Sequence, residues 1–125
     1  MSLSLQLDGG GTLYRPKGKL SGSAQWQLEK EARAIEVRLI WFTQGKGTQD
    51  VEVVDRRRWE TPVLMGQEKF EFTLPEGPQS FSGKLISLTW AVELVIEKAN
   101  ESARIEFVLS PFDAEIQLGA VGDAA

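Results

Sequence analysis

The sequence predicts an all-β domain, an antiparallel sandwich, and three observations carry that prediction. Apolar and polar residues alternate with a period of two in one stretch after another. The stretches recur roughly every eight to twelve residues with turn-forming residues between them, and no segment carries a convincing helical period. The stretch Phe70 to Lys84 is the most telling: Phe70, Phe72 and Leu74 alternate, Pro75 and Pro78 bound a loop, and Phe81 leads into a second long alternating run. That is how a sandwich hands its chain from one sheet to the other.

Taken in order, Leu3, Leu5 and Leu7 alternate with Ser2, Ser4 and Gln6 and predict a first strand; without a basic segment ahead of it, this start does not read as a signal peptide. Asp8-Gly9-Gly10-Gly11 supplies φ freedom for a turn and lacks the repeated Asp-x-Asp spacing of a calcium loop. Leu20, Gly22, Ala24, Trp26 and Leu28 share one phase of a second strand; Ile35, Val37, Leu39 and Trp41 repeat the pattern after Lys30-Glu31, and the two read together as a hairpin. Gln44-Gly45-Lys46-Gly47 predicts a tight reversal into a strand that begins with Val51 and Val53.

Phe70, Phe72 and Leu74 form the next strand, and the longest follows from Leu85 to Ile96, where Ile86, Leu88, Trp90, Val92, Leu94 and Ile96 share one face. A helix competes for residues 85 to 97, but the unbroken alternation and β-branched content favour a strand. Ala99-Asn100-Glu101-Ser102 turns the chain into Ile105, Phe107 and Leu109, and Pro111 ends that strand because it cannot donate to a ladder. Residues 1–112 read as one domain, and residues 113–125, small and acidic, as a short tail. Ile35 to Phe42 and Leu85 to Ile96 are the expected long inner strands.

Composition bounds the chemistry. A chain of 125 residues, 42% hydrophobic and 26% charged, lies in the ordinary globular range and forms its own core. No apolar run approaches the ~20 residues of a transmembrane helix, so no membrane span and a cytoplasmic location are expected. Cysteine and histidine are both absent. That removes disulfides, thiolate and imidazole metal sites, and the Ser-His-Asp and Cys-His nucleophile systems. A net charge of −4 leaves no basic footprint for nucleic acid.

Two motifs resemble those of the arrestin fold family, shared by arrestins, the retromer subunit of the Vps26 type and sporulation-control proteins of the Spo0M type. Leu13-Tyr14-Arg15-Pro16-Lys17-Gly18-Lys19-Leu20-Ser21-Gly22-Ser23-Ala24 is similar to that family's Pro-Gly entry into its second strand, with Lys17 interposed. Phe-x-Phe-x-Leu-Pro-x-x-x-x-Ser-Phe-x-Gly from Phe70 to Gly83 is followed by a strand in which Trp90 stands where the family often has Tyr. The resemblance runs from about Leu3 to Leu109 and implies an immunoglobulin-like (arrestin-like) β-sandwich. The phosphate sensing of arrestins is built partly between two sandwiches, so it is not expected of one.

Candidate binding residues are few. Asp55-Arg56-Arg57-Arg58-Trp59-Glu60 is the densest charge cluster, and Arg56, Arg57, Arg58 and Trp59 could clamp a phosphate, a carboxylate or an acidic peptide. On a strand, however, Arg56 and Arg58 face one way and Arg57 the other. A solvated edge accounts for the same residues, because Asp55 and Glu60 cut three arginines to a net +1. Trp26, Trp41 and Trp90 fall on apolar phases and read as core, which leaves Trp59 as the ring free of such a phase. Glu29, Glu36, Glu52, Glu71 and Glu93 fall on outward phases or turns, and no spacing marks a catalytic pair.

The expected function is a non-catalytic protein-interaction module, an adaptor or scaffold without cofactor or metal. It binds a protein partner, or a second copy of itself, through a sheet edge or end loops. The alternative is a carbohydrate- or anion-binding domain using Trp59 and Arg56 to Arg58. Two segments without proline and with few charges are the candidate docking edges: Leu3, Leu5 and Leu7, and Thr48 to Val54.

Overall fold

Two β-sheets pack face to face in the computed structural model, which describes residues 2–45, 49–83, 85–97, 101–112 and 115–117. The strands in chain order are β1 (Ser2–Leu7), β2 (Leu13–Tyr14), β3 (Lys19–Gln27), β4 (Ala34–Gly45), β5 (Val51–Glu60), β6 (Met65–Thr73), β7 (Phe81–Ser82), β8 (Ile86–Ile96), β9 (Ser102–Leu109) and β10 (Ile116–Gln117). Among the described residues no α-helix forms, and a single 3₁₀ turn spans Asp8–Gly10. One sheet has the order β1-β3-β6. In the other, β5-β4-β8 is the spine, β9 and β7 both pair with β8, β2 joins β9, and β10 joins β7. The main ladders are antiparallel; β2 on β9 and β10 on β7 are short parallel pairs.

The alternation read from the sequence becomes the core between these sheets. Leu20, Ala24 and Trp26 of β3 and Phe70 and Phe72 of β6 meet Ile35, Val37 and Leu39 of β4, Leu88, Trp90, Val92, Leu94 and Ile96 of β8, and Phe107 and Leu109 of β9. Trp90 is fully buried, and its indole N–H donates to the Pro78 carbonyl at 2.6 Å. A large ring can fill the core without an orphaned donor only because the proline loop supplies that acceptor.

One expectation is overturned: β3 and β4 are not a hairpin. β3 pairs with β1 and β6, whereas β4 pairs with β5 and β8 in the opposite sheet. Residues 28–33 carry the chain across the core, with Leu28 N–H held by the Leu64 carbonyl at 2.6 Å. Alternation reports which face of a strand is buried but not which strand lies beside it, so two apolar faces that look at each other read the same as two that lie side by side. The reversal between β4 and β5 is a true antiparallel pair, and its turn at Lys46-Gly47 lies outside the described residues. So do residues 99 and 100 of the turn before β9, and most of 113–125; within that last segment Ile116–Gln117 joins the sheet as β10.

The family-like motifs have local physical causes. Gly18 N–H donates to the Arg15 carbonyl at 3.0 Å, with Pro16 and Lys17 at the corner and Lys17 at φ 67°. This is the pattern of a type II turn, whose third position favours glycine and here holds lysine. Gly22 lies so close to β1 and β6 that an added Cβ would stand 2.3 Å from the Gln6 carbonyl oxygen and 2.9 Å from Phe70 Cζ. Ser80 is buried and clasps β9 twice: its N–H donates to the Leu109 carbonyl at 2.8 Å, and Leu109 N–H donates to Ser80 Oγ at 2.9 Å. The Ser-Phe of the second motif thereby ties the crossing loop to the sheet it enters.

Candidate interaction edges and the arginine cluster

A β-bulge decides where the arginine cluster points. Leu39 of β4 is opposite Asp55, but its neighbour Ile40 is opposite Val53, so Val54 is an extra residue in β5. Before the bulge Val51 and Val53 lie on the outer face of the sheet, where Val53 packs on a small apolar cluster of Ile40, Phe42 and Ala91. Beyond it Asp55, Arg57 and Trp59 turn to the inner face, opposite Leu39, Val37 and Ile35. Trp59 is half-buried against the main core, so it is not free of an apolar phase as the sequence implied.

The four candidate residues are therefore divided. Arg58 and Arg56 face outward over Glu36. Arg58 donates from Nη1 to Glu36 Oε2 at 2.7 Å, from Nε to Glu60 Oε1 at 2.7 Å and from Nη2 to Glu97 Oε2 at 2.6 Å. Glu60, Glu36 and Glu97 together raise its guanidinium further above its ordinary value. Glu36 itself is 5% exposed although it lies on an outward phase, a correction to its reading as a solubilising surface acid. Arg38 Nε donates to its Oε1 at 2.9 Å, and Arg56 Nη1 stands 3.8 Å from the same oxygen. Burial pushes the Glu36 carboxyl up, but the hydrogen bonds from Arg38 and Arg58 and the charges of Arg38 and Arg56 outweigh it and hold the group below the usual range.

Arg57 does something different. Its guanidinium lies 4.6 Å from the centre of the Phe72 ring, and its Nη2 donates to the Glu71 carbonyl of β6 at 2.8 Å, so one side chain spans from one sheet to the other. Nη1 donates to Asp55 Oδ1 at 3.1 Å and to the Arg56 carbonyl at 2.9 Å, while Arg56 N–H donates to Asp55 Oδ1 at 2.8 Å. Both backbone polar groups of Arg56 are thus satisfied by neighbouring side chains. β5 and β6 are edge strands, and on this flank of the sandwich their peptide groups are capped where Arg57 reaches.

The opposite flank differs. β1 pairs with β3 through all six residues, Ser2 opposite Gln27 to Leu7 opposite Gly22, without a bulge. Among the described residues no strand pairs with its other side and no backbone hydrogen bond reaches it, although β9 of the facing sheet runs close by. The strand carries no charge and no proline. Beside it runs an open groove of about 510 Å³ whose apolar side is Leu5, Leu7 and Ile105 and whose polar side is Gln6, Asp8 and the Gly9 to Thr12 loop. The sequence marked this edge, together with Thr48 to Val54, by its lack of proline and scarcity of charge.

Two packed sheets with this strand order form an arrestin-like sandwich. Among solved structures the chain is similar to the sporulation control protein Spo0M from Bacillus subtilis, with a TM-score of 0.60 and 17% sequence identity over 86% of this chain and 48% of that one. The chain thus spans about half the length of that structure. No family model matches the sequence, and no curated protein does. Among the described residues no group of acidic side chains could hold a metal ion, and no helix is long and apolar enough to cross a membrane.

Proposed function

We propose that this chain is a non-catalytic interaction module that receives an extended segment of a partner protein along the free edge of β1. The observation that carries this reading is the asymmetry between the two flanks. On one, Arg57 caps the Arg56 and Glu71 carbonyls and Asp55 caps the Arg56 N–H; on the other, β1 has an uncharged and unbroken edge beside an open groove of mixed lining. Main-chain pairing would supply affinity, and pockets for alternate side chains would supply selectivity. The arrestin-like fold agrees with a regulatory or adaptor role, and the absence of histidine and cysteine agrees with a role without catalysis.

The test is capture of partners from the native cell with variants shown to be folded by circular dichroism. Leu5→Pro, which perturbs the β1 edge, is expected to lose the partner, and Val51→Pro on β5 to retain it. Unchanged capture by both would sink the edge reading and make Arg56 to Trp59 the better candidate surface.

A further inference from the structure

We infer that the free edge of β1 also pairs with β1 of a second copy of this chain, antiparallel about a two-fold axis, so that two three-stranded sheets join into one of six. This rests on β1 being the docking edge and names one partner for it. Ser2-Leu3-Ser4-Leu5-Gln6-Leu7 is self-complementary when reversed. An axis through Ser4 sets Leu3 opposite the second copy's Leu5 and Ser2 opposite its Gln6; an axis through Leu5 sets Leu3 opposite Leu7 and Ser4 opposite Gln6. Either register keeps leucine against leucine on the inner face and polar against polar on the outer face, and neither opposes like charges. A contact of this kind is isologous and closes at two copies.

The other edges fit a second copy less well. β5 is interrupted by the bulge at Val54 and capped at Arg56. β6 carries Glu68, Lys69 and Glu71, and its Glu71 carbonyl is taken by Arg57. β9 carries Arg104 and Glu106, and its last two residues are paired with β2. At β1 the Leu5, Leu7 and Ile105 side of the groove gives the inward leucines of an added strand an apolar surface to rest on, with Asp8 and the glycine turn at its end.

Sedimentation velocity over a wide concentration range tests this. The wild-type chain is expected to show a monomer–dimer equilibrium. The double variant Ser4→Lys with Gln6→Lys places lysine against lysine in either register and is expected to weaken the dimer by on the order of tenfold or more at low salt. Ser4→Asp with Gln6→Asp is expected to do the same alone, and mixing the two variants to restore dimer as the mixed pair. Both variants change exposed side chains, so circular dichroism is expected to be unaltered. A wild-type chain that stays monomeric at every concentration, or a dimer indifferent to these charges, would overturn self-pairing. If partner capture by that monomer were still lost with Leu5→Pro, the docking-edge reading would survive; a monomer whose capture Leu5→Pro left unchanged would sink both.

Discussion

Gly22 has no room for a side chain, because both flanking strands close on it. Gly22→Ala is expected to destabilise the fold by about 1–3 kcal/mol, the range of overpacking, or more, because one of the atoms met is backbone. Chemical denaturation would measure it. Lys17 presents the opposite case, a side chain where the turn asks for none: at φ 67° a lysine carries steric strain that glycine relieves. Lys17→Gly is expected to leave stability unchanged or raise it by up to about 1 kcal/mol, since glycine's greater unfolded-state entropy offsets part of the relief. The exposed ion pair of Lys17 with Glu76, 2.7 Å, does not alter that expectation, because such pairs contribute little. Ser80→Ala is expected to cost about 1–3 kcal/mol by orphaning the Leu109 N–H.

At the level of elements, the two flanks of the sandwich are treated differently, and Arg57 is the side chain that makes them so. Arg57→Ala is expected to uncover the Arg56 and Glu71 carbonyls and to remove the cation over Phe72. The expected readout is faster amide exchange along β5 and β6 together with concentration-dependent association that persists when the β1 edge is blocked; unchanged exchange would show that Arg57 does not seal this flank. The arginine run was legible in the sequence as an edge-strand cluster with alternating directions. Which side faced the core was not, because the one-residue bulge at Val54 inverts the phase of everything after it, and nothing in Val-Val-Asp-Arg announces a bulge. The strands themselves were legible because burial of one face imposes a period of two, and Trp26, Phe72, Trp90 and Phe107 all lie where that period puts them.

For the molecule as a whole, the outer face of the larger sheet is held by an ion network centred on a buried carboxylate, and this makes stability depend on pH. The folded Glu36 carboxyl titrates below its unfolded value of about 4.3, so its contribution is present above that pH and is lost as pH falls through the folded value. Stability is expected to drop as pH falls below the ordinary carboxylate range of about 4.3. Glu36→Gln should flatten the profile in that window while lowering stability at neutral pH, because it leaves Arg38 and Arg58 without the carboxylate they share. Urea melts at a series of pH values would show it; parallel profiles for the two proteins would remove Glu36 as the cause.

Read as a string, the residues already specify the all-β class, the position of nearly every long strand, the crossing between sheets after Phe72 and the lack of histidine and cysteine. These are local properties: each depends on alternation, turn residues or composition within a few positions. Folding in three dimensions is what puts β3 and β4 in different sheets, turns Trp59 and Arg57 inward and buries Glu36 beneath arginines. It also leaves β1 open while β5 and β6 are capped. Those are statements about which strand neighbours which, and a strand's own residues encode how much of it is buried far more directly than what buries it.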